Sequence, residues 1–285
     1  MKASKGILEH GRFRIPYRRY GDHPNVLICV SGVLQTMAVW RAVTKQFAPH
    51  FSVIIFDMPG VGRSEITSGS AHVTIDEQLD VVDALIADAG PRGDLVLAGS
   101  SWGTAIAAGY ASRYPDKVQK LVLSSFGMKP NGVMRGIIEH AQVLYDSGDY
   151  AAGADLIVKM FGQQIGPTYK RQIESQFASL SETSAESFYL HCRNITKLGH
   201  LNDAIDLSRI TAKTLIVNGS LDRIIDLEDM WEAEKIIPHC QCILVEGVGH
   251  FLHFERPEVL EDYEDFLVRD IYRFEPAQEE QRASL

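Results

Sequence analysis

A Gly-Ser-Ser-Trp-Gly stretch at residues 99–103 constrains the fold of this chain more than any other feature. It follows an apolar run at 94–98, which predicts a buried strand, and precedes an alanine-rich run at 104–111, which predicts a helix packed on a sheet. A G-x-S-x-G pattern between a strand and a helix is typical of a nucleophile elbow, where a tight turn strains the middle residue. Ser101 is therefore predicted to stand above the sheet, at the N-terminus of the helix. An ordinary Gly/Ser-rich turn is the alternative interpretation.

Two side chains suited to acid–base chemistry follow strands later in the chain. A β-branched run at 214–217 leads to Asp222, and an apolar run at 242–245 leads to the glycine-flanked His250. A serine hydroxyl is a poor nucleophile at neutral pH, so a histidine must take its proton and a carboxylate must fix the imidazole tautomer. We therefore predict a catalytic triad of Ser101, Asp222 and His250, in the chain order expected of α/β-hydrolases.

Neighbouring residues leave alternatives for the acid and the base. Asp226 and Asp229 follow Asp222 closely, and either could be an ordinary loop carboxylate. A histidine at the end of a strand can also be a capping or core residue. His253 lies three residues after His250 in a run that starts the next helix, and we predict that it packs rather than reacts.

The turn after the first buried strand is predicted to bind the oxyanion of the reaction. An apolar run at 26–30 predicts this strand, and the turn at 31–34 follows it. One backbone N–H of the oxyanion hole arises at such a turn, and the residue after the nucleophile supplies the other. We assign these two donors to Val33 and Trp102. Three side chains are predicted to bind the substrate: Ser31, Leu34 and Phe251.

A second glycine-containing turn, at residues 57–64, follows the next apolar run. It lacks the G-x-G-x-x-G spacing of a dinucleotide site and the lysine of a P-loop, so it is predicted to be structural. Asp57 is predicted to hold this turn together by local hydrogen bonds.

The composition narrows the class of protein. The formal net charge of −9 argues against nonspecific nucleic-acid binding. The longest apolar runs are too short to cross a bilayer, and the N-terminus lacks the apolar region of a signal peptide, so we expect a cytoplasmic protein without stable membrane insertion. Cys240 and Cys242 have the wrong spacing for a zinc pair, and we predict neither a metal nor a cofactor. The four cysteines are predicted to be reduced thiols, mostly buried: Cys29, Cys192, Cys240 and Cys242.

The order of the predicted elements gives an α/β fold with one insertion. Strands and helices alternate in residues 1–127 and again in 206–274, which predicts a mostly parallel central sheet flanked by helices. Residues 128–205 are predicted to form a helical lid over Ser101, or a helical subdomain without substrate contact. The polar segment 275–285 is predicted to be a flexible tail. Four amphipathic helices are predicted in the insertion, at residues 133–146, 150–161, 168–179 and 185–197.

Several segments resemble a known group of enzymes. The triad order and the segments 53–64 and 247–252 resemble the α/β-hydrolase superfamily across nearly the whole chain. The segments 31–36, 101–103, 217–222 and 249–252 are similar to two related bacterial enzymes. These are the rhamnolipid-precursor synthase, which makes 3-(3-hydroxyalkanoyloxy)alkanoates, and the 3-hydroxyacyl-carrier-protein transacylase/thioesterase. The insertion shares this similarity at three places: 141–144, 165–167 and 178–180.

The resemblance implies a substrate class and leaves the acyl acceptor open. It implies an acyl-serine enzyme acting on medium-chain 3-hydroxyacyl thioesters of acyl carrier protein or coenzyme A. Ser31 stands where that family tends to carry asparagine, so water, a hydroxyacyl group and coenzyme A all remain candidate acceptors. A carboxylester hydrolase or lactonase of the same fold is the first alternative function. A catalytically inactive binding module is the second. An acyl carrier protein is a candidate partner, for which basic residues of the insertion would form the docking patch.

Overall fold

The computed structural model describes residues 3–33, 35–149 and 182–271, together with residues 152–153, 156, 159, 166–167, 170–171 and 174–175. Nine strands form one sheet within this part of the chain. They are β1 Ser4–His10, β2 Phe13–Tyr20, β3 Val26–Val30, β4 Ser52–Phe56, β5 Glu65–Ile66, β6 Leu95–Ser100, β7 Lys120–Ser124, β8 Lys213–Gly219 and β9 Cys240–Val245. The α-helices are α1 Arg41–Phe47, α2 Ile75–Ala89, α3 Trp102–Arg113, α4 Gly132–Asp146, α5 Glu182–Leu198, α6 Glu228–Ile236, α7 Leu252–Glu255 and α8 Val259–Leu267.

The sheet is mostly parallel, as the alternating pattern of strands and helices predicts. Its order is β1-β2-β4-β3-β6-β7-β8-β9, with β5 paired to β2. Strands β3, β4 and β6 to β9 pair in parallel, whereas β1, β2 and β5 pair antiparallel. The carboxyl ends of the parallel strands therefore meet at one edge of the sheet. Side chains that follow different strands can converge there.

Two apolar layers cover the sheet, one on each face. Because side chains alternate along a strand, β3 contributes Ile28 to one layer and Cys29 to the other, and both are fully buried. Helices α2, α3 and α6 supply the first layer, and α1 and α8 supply the second. This double burial explains why β3 is an unbroken apolar run in the sequence.

Local signals fix the ends of the long helix α2. Thr74 caps its N-terminus, because its hydroxyl accepts from the backbone N–H of Glu77 while the Glu77 carboxylate accepts from the backbone N–H of Thr74. Gly90 ends the helix in the left-handed conformation, with φ of 56°. The same helix carries Gln78, a buried polar residue that contacts the site described below.

The described part of the insertion is helical. Helices α4 and α5 correspond to the helices predicted at 133–146 and 185–197, with bounds that differ by a few residues. Tyr145 and Tyr189 stack between them, with ring centroids 5.2 Å apart. The helices predicted at 150–161 and 168–179 lie mostly outside the described residues, and the tail predicted at 275–285 lies wholly outside them. The domain boundaries themselves stay predictions.

Candidate active site

Ser101 occupies a strained turn between β6 and α3. Its φ of 54° lies in the left-handed region, which residues other than glycine rarely adopt. Its backbone N–H donates to the carbonyl oxygen of Ser124 at 2.9 Å, and its carbonyl accepts from Thr104 N at 2.9 Å. The turn thus ties β6 to β7 and opens α3, whose N-terminal partial positive charge faces the serine.

Two features of α3 keep this turn tight. A Cβ at Gly103 would lie 2.1 Å from the carbonyl oxygen of Val30, so only glycine allows the helix to approach β3 this closely. The indole of Trp102 donates to the buried Gln78 side chain at 2.9 Å. This bond directs the Trp102 side chain towards α2. The backbone N–H of Trp102 belongs to the first helical residue and has no acceptor within the helix.

The structure brings Ser101, His250 and Asp222 together in one hydrogen-bonded row. His250 Nε2 lies 2.9 Å from Ser101 Oγ, and His250 Nδ1 lies 2.7 Å from Asp222 Oδ2. Asp222 Oδ1 also accepts from the backbone N–H of Ile224 at 3.2 Å. The Asp222 side chain is fully buried and that of His250 is 5% exposed. This is the geometry in which a histidine can take a serine proton while a carboxylate stabilises the imidazolium.

Asp229, the alternative acid, holds a different part of the chain. Its Oδ2 accepts from the backbone N–H groups of Met128 and Lys129, at 2.7 and 3.2 Å. Burial raises the pKa of its carboxyl, and those backbone bonds together with the nearby Lys129 ammonium act in the opposite direction. Asp229 therefore anchors the start of the insertion, while Asp222 contacts His250.

The turn after β3 lies directly against Ser101. A Cβ on Gly32 would lie 2.8 Å from Ser101 Cβ and 3.1 Å from Gln35 Cδ, so the backbone of this turn approaches the serine closely. The backbone N–H of Gly32 donates to Gln35 Oε1 at 2.9 Å, which fixes the turn from within. Val33, the proposed oxyanion donor, is partly buried and packs on the core. Its role and that of Trp102 stay proposals.

The side chains predicted to bind substrate differ in their surroundings. Ser31 is fully buried, and its hydroxyl accepts from the Trp40 indole at 2.9 Å, which directs this side chain towards Trp40. Phe251 is partly buried, and its ring packs edge-on against the His250 imidazole, with centroids 5.7 Å apart. Leu34 lies outside the described residues. Substrate contact by these three residues stays a prediction.

Asp57 links the turn after β4 to the loop after β3. Its carboxylate accepts from the backbone N–H groups of Arg63 and Met37, at 2.9 and 2.5 Å, and its carbonyl accepts from the Ser64 hydroxyl at 2.6 Å. Burial raises the pKa of this carboxyl. The local bonds agree with the structural role predicted for Asp57, and the bond to Met37 extends that role to the proposed oxyanion loop.

His253 supports the same loop. It is buried, stacks on the Trp40 ring with centroids 5.9 Å apart, and its Nε2 lies 2.9 Å from the Val39 carbonyl oxygen. Burial lowers the pKa of its imidazole, which keeps the ring neutral. A neutral ring donates from Nε2 to that carbonyl.

The insertion contacts the core on both sides of Ser101. Ile137 of α4 clusters with Ile224 and Ile225, which lie two and three residues after Asp222. On the other side, His191 of α5 lies 3.2 Å from the carbonyl oxygen of Pro59 through its Nε2. Asn194 of the same helix donates to Val73 O at 2.9 Å. These anchors support the lid interpretation, which remains a prediction.

Three residues that support the site by hydrogen bonds are not among those predicted from the sequence. Gln35 binds the Gly32 amide, Ser125 donates its hydroxyl to the His250 carbonyl at 2.6 Å, and Glu255 accepts from two amides beside His250. Ser124, which ends β7, and Ser125, which follows it, form a Ser-Ser pair that is a usable signal, because β7 is the parallel neighbour of the nucleophile strand. No comparable pattern marks Glu255.

The described residues also bear on metal binding and on membrane insertion. Within these ranges, no group of three or more histidine, cysteine, aspartate or glutamate side chains is placed to hold a metal ion. No helix of the described chain is long and apolar enough to span a bilayer. The cysteines Cys29, Cys192, Cys240 and Cys242 are free and buried.

The topology and the site define an α/β-hydrolase fold. The profile of the family described as alpha/beta hydrolase fold matches residues 25–140. A solved structure, the alpha/beta hydrolase enzyme MGS-M2 from a Medee basin deep-sea metagenome library, superposes with a TM-score of 0.80 at 16% identity. The match covers 95% of this chain and 100% of that one. The chain therefore has the α/β-hydrolase fold, as predicted.

Its sequence relatives are named enzymes. The (R)-3-hydroxydecanoyl-ACP:CoA transacylase of Pseudomonas aeruginosa is 23% identical over 271 residues, which cover 94% of this chain and 90% of the relative. A relative of the same name from Ectopseudomonas oleovorans is 24% identical over 298 residues, with 99% of each chain covered. The resemblance inferred from the sequence is thereby confirmed, and the protein is an enzyme of this fold.

Proposed function

We propose that this enzyme transfers medium-chain 3-hydroxyacyl groups from a thioester of acyl carrier protein or coenzyme A, through an acyl-Ser101 intermediate. The observation that carries the proposal is the row from Ser101 through His250 to Asp222, with contacts of 2.9 and 2.7 Å. An inactive binding module would have no need of a serine held at a positive φ against a buried imidazole–carboxylate pair.

The relatives support the substrate class. The transacylases named above act, by their names, on 3-hydroxydecanoyl groups carried by acyl carrier protein and coenzyme A. Their similarity extends over 94–99% of this chain and so includes the insertion that packs beside Asp222. Insertions vary more than the core in enzymes of this fold, so similarity there bears on the substrate.

The proposed chemistry assigns one role to each group. Ser101 Oγ attacks the thioester carbonyl carbon while His250 Nε2 accepts the hydroxyl proton, and Asp222 stabilises the imidazolium. The N–H groups of Val33 and Trp102 bind the oxyanion, each such donor contributing about 3–4 kcal/mol to the transition state. The carbon–sulfur bond then breaks, and the leaving thiolate takes the proton from His250. In the second half, His250 Nε2 takes the proton of the acceptor, which attacks the acyl carbon. The bond from that carbon to Ser101 Oγ then breaks, and Oγ takes the proton back from His250.

Docking of an acyl carrier protein would require a local basic patch, because both partners are acidic overall. Helices α4 and α5 present exposed Arg135, Arg193 and Lys197 on the same insertion. We infer that such rim charges set the association rate with the carrier. Charge reversal at Arg193 and Lys197 should raise the KM for acyl carrier protein thioesters and leave the KM for small thioesters unchanged.

Product analysis by mass spectrometry tests the proposal. The enzyme is supplied with the 3-hydroxydecanoyl thioester of acyl carrier protein, alone and with coenzyme A or free 3-hydroxydecanoate as acceptor. A transferase should form the new thioester or ester, whereas a hydrolase should form only the free acid. Ser101→Ala is the matched control and should form neither product.

Chain-length selectivity gives an independent test. Each buried CH₂ contributes about 0.8 kcal/mol, so decanoyl substrates should exceed acetyl substrates in kcat/KM by orders of magnitude. A preference for acetyl esters, or free acid as the sole product with every acceptor, would favour a carboxylester hydrolase or lactonase. Turnover by Ser101→Ala above about a hundredth of wild type would contradict the acyl-serine mechanism, since triad residues act as a unit.

A further inference from the structure

The backbone on both sides of His250 is bound by one carboxylate. Glu255, the last residue of α7, accepts from the backbone N–H of Gly249 through Oε2 at 2.5 Å. Its other oxygen, Oε1, accepts from the N–H of Phe251 at 3.1 Å. These amides directly precede and follow His250. A Cβ on Gly249 would lie 3.1 Å from both oxygens, so a glycine here lets the carboxylate approach the chain closely.

A serine binds the same histidine from the opposite side. The Ser125 hydroxyl donates to the His250 carbonyl oxygen at 2.6 Å, and Ser125 is buried. Its φ of 56° again lies in the left-handed region. The residue is fixed in turn, because its N–H donates to the Val217 carbonyl and the Asn218 carboxamide binds both the N–H and the carbonyl of Phe126.

We propose that Glu255 and Ser125 are positioning residues that fix the backbone of His250, so that its imidazole keeps contact with Ser101 and Asp222 at once. This inference rests on the proposed role of His250 as the base. A short loop can rotate about its backbone dihedrals, and a small rotation there moves both ring nitrogens. Three bonds from two side chains remove that freedom. A displacement of about 1 Å in such a group costs about a hundredfold in rate.

Three variants test the two residues, and a fourth serves as the control. Glu255→Ala should lower kcat about a hundredfold, with KM within about a factor of two, because both carboxylate oxygens of Glu255 are engaged by backbone amides. In Glu255→Gln the side chain has one acceptor oxygen for the two backbone N–H groups of Gly249 and Phe251, so kcat should fall about tenfold. Ser125→Gly accepts the positive φ without strain and removes the hydroxyl alone, and its kcat should fall about fivefold. The control is Glu258→Gln, which changes an exposed carboxylate three residues further on and should leave kcat unchanged.

Two readouts separate positioning from a general effect on folding. The first is kcat per folded molecule, corrected by circular dichroism at the assay temperature. The second is the far-downfield proton resonance of the bond between His250 Nδ1 and Asp222, which should broaden or disappear in Glu255→Ala and persist in Glu258→Gln. Lowered stability with normal kcat and a normal resonance would overturn the inference.

The other possible results also test the positioning role of Glu255. If Glu255→Ala does not fold, Glu255→Gln replaces it, and wild-type kcat in that variant overturns the inference. A raised KM with unchanged kcat overturns it as well, because it would place Glu255 in substrate binding. If His250→Ala is inactive while the Glu255 variants are fully active, the positioning role is refuted and the proposed function is not. Active His250→Ala refutes the proposed function.

Discussion

The two histidines that follow β9 should separate catalysis from stability. His253→Ala should lower the free energy of unfolding and leave kcat nearly unchanged. The ring is buried, stacks on Trp40, and donates to the Val39 carbonyl. Truncation leaves a cavity beside Trp40 and removes the bond to the partly buried Val39 carbonyl, which together cost about 2–4 kcal/mol.

His250→Ala should have the opposite effect. Its ring contacts Ser101 and Asp222, so its loss removes the proposed base, and kcat should fall by about 10⁴-fold or more. The Ser125 bond to the His250 carbonyl and the Glu255 bonds to the amides of Gly249 and Phe251 do not involve the ring, so the loop should persist. The unfolding free energy should therefore change less than in His253→Ala.

The assay pairs urea unfolding, followed by circular dichroism, with kcat for a 3-hydroxydecanoyl thioester. His253→Phe is the matched control, because it keeps a ring on Trp40 and loses only the bond to Val39. It should lie between wild type and His253→Ala in stability. An inactive but stable His253→Ala beside an active His250→Ala would refute the assignment of the base.

Three further predictions concern the nucleophile, its turn and the insertion. A serine-directed phosphonate should label the wild type and not Ser101→Ala, and labelling of Ser101→Ala would contradict the assignment of the nucleophile. Asp222→Asn should lower kcat less than either Ser101→Ala or His250→Ala. Gly103→Ala would place its Cβ 2.1 Å from the Val30 carbonyl oxygen and should cost about 2–3 kcal/mol in urea unfolding. A Cβ at Gly136 in α4 would have no neighbour within 4 Å, so Gly136→Ala should raise the free energy of unfolding by up to about 1 kcal/mol. Equal changes in the two glycine variants would contradict the claim that Gly103 is needed for close packing on β3. Burial lowers the pKa of His191 from its ordinary 6.5 to about 4, so the unfolded chain binds a proton first as the pH falls. Stability should be complete above pH 6.5 and decline by up to about 3 kcal/mol towards pH 4. An unchanged slope in His191→Gln would contradict this assignment.

The sequence predicted the fold and the convergence of the site because both depend on strand ends. Ser101, Asp222 and His250 each follow a strand of the parallel sheet, and parallel strands end at the same edge. Strand periodicity locates those ends to within a few residues. The topology therefore places these three side chains at the same edge of the sheet.

The supporting contacts could not be predicted in the same way. Ser125 and His250 are 125 residues apart, and the bond joins a hydroxyl to a backbone carbonyl. Any residue has such a carbonyl, so the partner leaves no pattern in the sequence. Ser31 illustrates the complementary difficulty, since periodicity does not say which way a side chain leaves a turn. The structure directs its hydroxyl to Trp40.

Two serines with strained backbones, Ser101 and Ser125, both form hydrogen bonds with His250. Ser100 and Ser124 are register partners in β6 and β7, so Ser101 and Ser125 occupy equivalent positions one residue beyond neighbouring strands. Both have positive φ, at 54° and 56°. Glycine would adopt this conformation without strain, whereas each serine stores about 1–3 kcal/mol. Glycine, however, has no hydroxyl. The Ser101 hydroxyl contacts the ring of His250, and the Ser125 hydroxyl donates to its carbonyl oxygen. The strain is therefore retained at the two positions where a hydroxyl reaches the same histidine.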